Sequence, residues 1–291
     1  MADTTQPARG DSTDTPNQID PEGEPMTQIN AKDVMALRNR TGLGMMDCKK
    51  ALMEADGNPE RAEELLRKKL KGKMETRSDR AAGEGRIGIA VSDAGATIVE
   101  LSAETDFTAK NETFVEATDK SAASLLAAGA GKLEPNDEVT ALIDNLRITT
   151  GENISFARGE KLEGGSFASY IHFDGKTGVL LQFEGDISGE ASNDICLHIA
   201  AADPAPLGVS PDEIPADVVE KERKFRLEQA VESGKPQEIA EKMVEGGMRK
   251  FYAEVALLEQ PFVKDGKTPI KQLVGTAKVI AFRKWRVGET N

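Results

Sequence analysis

The sequence predicts an α+β protein: a small N-terminal three-helix module, then two α+β core subdomains, each a strand hairpin followed by helices, with an inserted antiparallel helical hairpin. Three observations predict it. Residues 28–72 repeat apolar side chains at helical spacing between strong cap signals. Alternating apolar stretches around short turns occur twice, each followed by a helical pattern. Residues 212–250 are charge-rich, helical in period, and broken once at Gly234 and Pro236.

Residues 1–27 are rich in Asp, Thr, Pro, Gly and Gln and nearly lack large apolar side chains, so they read as a disordered acidic tail. In the module, Asn30 can cap a helix with Ala31, Val34 and Leu37 on one face. Gly42 and Gly44 make a turn around Leu43. A second helix carries Met45, Cys48, Leu52 and Ala55 on one stripe and stops at Asp56-Gly57. Asn58-Pro59 starts a third, with Ala62, Leu65, Leu66 and Leu70 inward. The unit is similar to a ubiquitin-associated-type module. Met45 and Met46 read either as a soft docking patch or as fillers of a small core.

Basic residues cluster from Arg67 to Arg86, with 73–85 read as the linker proper; a tether is the plain reading and RNA contact the sharper one. Core subdomain N takes 86–165. Ile87, Ile89 and Val91 alternate, Asp93-Ala94-Gly95 turns, and Ile98, Val99 and Leu101 return. Helices follow around Phe114–Leu125 and Val139–Leu146. Core subdomain C takes 166–287: strands Phe167–His172 and Val179–Phe183 around Asp174-Gly175-Lys176, a helix through Ile195 and Ile199, the hairpin of 212–250, and a last strand around Val279–Phe282. The hairpin could dimerise, touch a partner, or be only a braced excursion.

Composition excludes several functions. With 291 residues the chain can bury a sizeable core. No apolar run approaches the ~18 residues of a membrane span, and the first 27 residues do not form a secretory signal. A net charge of −13 opposes general nucleic-acid binding. Cys48 and Cys196 read as reduced, buried thiols of a cytoplasmic protein, and neither clusters with His172 or His198 as metal ligands would. His198 reads as a core residue and His172 as a surface one. There is no phosphate-binding glycine loop, nucleophile elbow or HExxH pair, so no enzyme and no cofactor are expected.

The most informative stretch is Thr105-Asp106-Phe107-Thr108-Ala109-Lys110-Asn111, where a strand pattern gives way to a helix pattern. An aspartate and a phenylalanine side by side at such a corner can be held outward as a wedge. Taken alone, such a phenylalanine is more often a core anchor and the aspartate before it a cap.

That stretch, together with Leu37–Leu52 (Leu-Arg-Asn-Arg-Thr-Gly-Leu-Gly-Met-Met-Asp-Cys-Lys-Lys-Ala-Leu), resembles elongation factor Ts, the guanine-nucleotide exchange factor for elongation factor Tu. His198-Ile199-Ala200-Ala201-Ala202-Asp203-Pro204, Ser233-Gly234-Lys235-Pro236 through Gly246, and Gln260-Pro261-Phe262-Val263 are similar too, in the family's order, over roughly residues 28–287. The resemblance implies that Thr105, Asp106, Phe107 and Thr108 dislocate the partner's magnesium, Phe107 intruding into the switch region and Asp106 hydrogen-bonding there. It implies partner contacts from Arg38, Met45, Met46 and Lys49, and from His172 and Val263. Thr108 stands where valine is common, which should shorten the wedge's apolar flank. Some members carry a C-terminal helical extension for which Asn291 leaves little room.

The implied partner is elongation factor Tu, GDP-bound and nucleotide-free, with no direct nucleic acid and no membrane; homodimerisation through the helical hairpin stays open. Without the resemblance, the parts would equally suit a ubiquitin-like or chaperone-type adaptor in which the Asp106–Phe107 corner is structural.

Overall fold

Asn30 opens the first helix, α1 (Ala31–Thr41), its side-chain oxygen accepting from the Lys32 amide. The computed structural model describes residues 29–75, 80–232, 234 and 236–289; the acidic tail read at 1–27 lies outside them, as do Ser233 and Lys235. The chain divides into two compact units, Met1–Gly72 and Lys73–Asn291.

In the first unit Gly42 closes α1 in the left-handed conformation (φ 70°), and α2 (Met45–Glu54) follows at once. Val34, Leu37, Leu43, Cys48, Leu52, Ala62 and Leu66 are buried. Ala31 and Met45, expected on these inward stripes, are exposed instead. Each is the first residue of its helix, beyond the reach of so small a core. α3 spans Pro59–Glu75, running into the stretch read as linker. Arg67 and Lys68 pair with Glu63 and Glu64 one turn earlier (3.0 and 2.8 Å), which supports the helix there.

The second unit is built on two antiparallel sheets. β1 (Glu84–Ser92) and β2 (Gly95–Ala103) form the expected hairpin, with Ile89 opposite Ile98. A short helix α4 (Asp106–Lys110) and then α5 (Glu112–Ser124) follow. α5 packs so close to β1 that a Cβ at Gly88 would lie 2.8 Å from the Thr118 carbonyl, a separation only glycine tolerates. Next come β3 (Gly131–Lys132), α6 (Asp137–Thr150) and β4 (Ser155–Leu162), giving the order β1-β2-β4-β3. The sequence reading contained neither β3 nor β4. β5 (Ser166–Ile171), β6 (Thr177–Glu184) and the last strand β7 (Lys278–Arg286) make the second sheet, in that order.

Between β6 and β7 run α7 (Gly189–Ala201), α8 (Ala216–Glu232), α9 (Gln237–Val255) and α10 (Ile270–Val274). Helices α8 and α9 enclose Ala230, Ala240, Val244, Met248 and Phe251, while Phe225, Leu227, Val231, Ile239 and Met243 stay exposed. The two sheets share a core of Ile87, Ile98, Leu180 and Trp285. β2 is buried along its whole length, because helices cover one side of it and the second sheet the other. No described helix is long and apolar enough to cross a membrane.

Candidate functional site

The corner after β2 is held from behind by a residue the sequence did not single out. The Glu152 carboxylate accepts from the Thr105 backbone N–H at 3.2 Å and from its hydroxyl at 2.7 Å. Thr105 in turn caps α4, its Oγ1 accepting from the Thr108 amide at 3.3 Å. Next door, Glu104 accepts from the Asn153 amide at 2.7 Å. Two adjacent residues, Glu104 through its carboxylate and Thr105 through its amide and hydroxyl, are thus tied to the segment after α6. Glu152 lies 47 residues from Thr105, and no local pattern could have revealed it.

With α4 fixed, its few residues divide sharply. Thr108 and Ala109 are buried, at 8% and 5% exposure. The shortened flank expected at Thr108 therefore faces the fold rather than an incoming protein. Asp106 and Lys110 point out and pair across one turn at 2.7 Å. This hydrogen bond is the main reason the Asp106 carboxyl sits below the usual carboxylate range, with the Lys176 charge adding to the effect. Between them Phe107 is 85% exposed. So much apolar area in water on a braced corner is unfavourable in the free chain, and it can be recovered on burial in a complementary pocket.

His172 stands at the end of β5, half-buried, with Nδ1 2.9 Å from the Tyr170 hydroxyl. The hairpin turn beyond it projects a second aromatic that no sequence signal marks, Phe173, whose ring centroid lies 4.6 Å from that of the imidazole. The segment Gln260–Val263 is held by a buried network. His198 is 1% exposed, its Nδ1 accepts from the Val263 amide at 3.3 Å, and its Nε2 lies 3.0 Å from Gln260 Oε1. Gln260 Nε2 donates to the carbonyls of Pro204 and Glu254 (3.0 and 2.7 Å), so Oε1 must accept. His198 is therefore the neutral tautomer with its proton on Nε2. Val263 itself is 40% exposed.

Burial pushes the His198 imidazole below the ordinary histidine range; the Gln260 hydrogen bond opposes this and the Lys284 charge adds to it. The folded pKa lies below the unfolded one. The stability this contributes is therefore complete above the unfolded value of about 6.5 and is lost as pH falls below it, where the unfolded chain takes up a proton the folded chain refuses. The chain has two histidines, so proton NMR resolves both. The His198 ring signal should titrate below pH 6.5, and a midpoint at or above that value would contradict the buried neutral tautomer.

In the first unit, Arg38, Met45, Met46 and Lys49 are all exposed. The two methionines do not fill the core; Met46 is 65% exposed, which leaves soft apolar surface on the helix that also carries Lys49.

Nothing at these places assembles covalent chemistry. Burial pushes the Cys196 thiol up to about 12, which leaves it protonated at neutral pH. Among the described residues no group of His, Cys, Asp and Glu converges as a metal site. The corner instead offers what a binding site needs: a rigid aromatic projection flanked by charge.

Comparison with known proteins bears on what such a projection meets. The family model described as elongation factor TS matches residues 104–289, beginning at the exposed corner. The chain is 43% identical over 269 residues to elongation factor Ts of Alcanivorax borkumensis, covering 88% of this chain and 93% of that protein. It is 41% identical over 271 residues to elongation factor Ts of Idiomarina loihiensis (90% and 91%). Over 277 residues it is also 41% identical to elongation factor Ts of Francisella tularensis subsp. novicida (91% and 93%).

Proposed function

Since the chain belongs to the elongation factor Ts family, a family of translation elongation factors, we propose that it is a guanine-nucleotide exchange factor. It binds elongation factor Tu in the GDP-bound state, promotes GDP release, and leaves a nucleotide-free complex for GTP to resolve. The observation that carries this reading is Phe107, 85% exposed on a corner locked by Glu152 and Thr105. A core anchor would be buried, and a structural corner has no use for an aromatic in water.

The mechanism needs no bond chemistry in this chain. A GTPase holds its diphosphate through magnesium, whose oxygen ligands tolerate little displacement. Phe107 enters beside that site and shifts the side chains supporting the metal. Asp106, ionised at neutral pH, accepts hydrogen bonds from the displaced switch region and holds the new arrangement. Thr105 and buried Thr108 keep the corner from yielding, so the strain falls on the partner. Arg38, Met45, Met46 and Lys49 supply a second contact with the partner's nucleotide domain, and His172 and Val263 a third. Binding of this chain and of GDP oppose each other by the same factor, as linkage requires. Exchange is thereby accelerated without a change in which nucleotide finally prevails. The protein acts in the cytoplasm, where its partner works, without a cofactor.

The test is stopped-flow release of a fluorescent GDP analogue from elongation factor Tu. Substoichiometric amounts of this protein should accelerate release with turnover. A release rate unchanged at micromolar protein would reject the reading and leave the adaptor alternative.

A further inference from the structure

We propose that Phe173 is a second apolar anchor for the same GTPase surface that receives Phe107, so that the partner is gripped at two points on one body. The inference rests on the exchange-factor reading.

Among the described residues Phe173 is the most exposed large apolar side chain, at 90%. A single exposed phenylalanine is ordinary. This one stands on a turn that is braced at nearly every residue. The His172 amide donates to the Thr177 carbonyl at 2.8 Å, and the Gly175 amide to the His172 carbonyl at 2.8 Å. The Lys176 amide donates to Asp174 Oδ1 at 2.9 Å. Gly175 takes φ 73°, a conformation that disfavours any side chain, and so lets the turn close. The ring itself leans on His172, which the Tyr170 hydroxyl holds.

The turn is also tied to the strand that supports the wedge. The Ile87 amide of β1 donates to the Gly175 carbonyl at 2.9 Å, and Lys176 pairs with Glu84 of β1 at 2.5 Å. α4 packs on that same strand. The two tips are near enough to feel each other's charges: Lys176 adds to the lowering of Asp106 that Lys110 dominates, and Asp174 and Glu84 add to the raising of Lys110 that Asp106 dominates.

Two aromatic rings on rigid supports, with Asp106, Lys110, Asp174 and Lys176 beside them, reproduce the anchor-and-rim pattern of a protein interface. The charges are balanced in sign, which suits a folded protein rather than a nucleic acid. Because both tips are already ordered, docking them loses little conformational entropy.

The experiment compares the full-length wild type with Phe173→Ala, Phe173→Leu, Phe107→Ala and the double alanine variant. Binding and dissociation rates are measured against elongation factor Tu·GDP, alongside urea unfolding. Phe173→Ala should unfold at the wild-type midpoint and raise Kd roughly tenfold, chiefly through faster dissociation. Phe173→Leu should recover most of the loss, and the double variant should bind more weakly than either single one. Wild-type binding by Phe173→Ala, with Phe107→Ala weakened, overturns the second anchor and leaves the exchange reading standing. A shifted unfolding midpoint with normal binding per folded molecule makes Phe173 structural and also overturns it. If the wild type neither binds nor accelerates release, the exchange reading itself fails and takes this inference with it.

Discussion

Phe107→Ala should slow catalysed GDP release by roughly ten- to hundredfold while leaving the urea midpoint where it was. The magnitude follows from an aromatic anchor desolvated in a partner's pocket, which contributes on the order of 2 kcal/mol, with each ~1.4 kcal/mol a factor of ten. The unchanged stability follows from the structure. At 85% exposure Phe107 has no packing to lose, and the corner is held by Glu152, Thr105 and the buried pair Thr108 and Ala109 rather than by the ring. Removing an apolar side chain from water costs the folded state nothing. Asp106→Ala should reduce exchange less, since its carboxylate is spread between Lys110 and solvent in the free chain. A Phe107→Ala variant that unfolds much earlier yet exchanges normally whenever folded would sink the wedge.

Seven positions along the chain the same substitution should do the opposite. Phe114 on α5 is wholly buried, among Val99, Leu101, Val139, Ile143, Leu146 and Ile154. Phe114→Ala removes a ring from a close-packed interior and leaves a cavity, which should lower unfolding stability by about 3–5 kcal/mol. Exchange per folded molecule, measured at low temperature where the variant remains native, should stay near wild type. Urea unfolding beside stopped-flow exchange therefore sorts the two phenylalanines. Loss of exchange without loss of stability at Phe114 would mean that the wedge depends on the core behind it more closely than the Glu152 clamp suggests.

The two residues show where a single sequence stops being sufficient. Both lie in the first turn of a helix, and by pattern alone each could have been a core anchor. Position within the helix decides between them. α4 is five residues long and buries only Thr108 and Ala109, so Phe107 falls on its outer side. α5 is long enough to carry an inward face, and Phe114 lies on it. The methionines of the first unit behave alike. Met45 sits on the same heptad-like stripe as Cys48 and Leu52, yet it is exposed because the three-helix core ends before it. The exposure of Phe173 is not legible locally: Asp174-Gly175-Lys176 mark an ordinary turn, and nothing in the pattern says which turn residue points outward.

Elements whose cause is local were legible. Asn30 caps α1 through its own side chain, Gly42 ends it with positive φ, and β1, β2, β5 and β6 alternate or run apolar around short turns. These features depend on residues within one turn or one hairpin, and the sequence by itself determined them, along with the family. β4 was decided by the tertiary structure alone. Its Ser-Phe-Ala-Arg-Gly-Glu-Lys-Leu stretch lacks an apolar alternation, because its polar side chains find distant partners. Arg158 stacks 4.4 Å over Trp285 and bonds Glu100 at 2.7 Å, Glu160 grips Arg283 at 2.7 and 2.8 Å, and Lys161 donates to the Ala128 carbonyl at 2.6 Å. The Glu152 clamp on Thr105 has the same origin. A buried charge is tolerated only where a partner meets it, and when that partner lies tens of residues away its existence is a property of the assembled fold, not of the chain's local pattern.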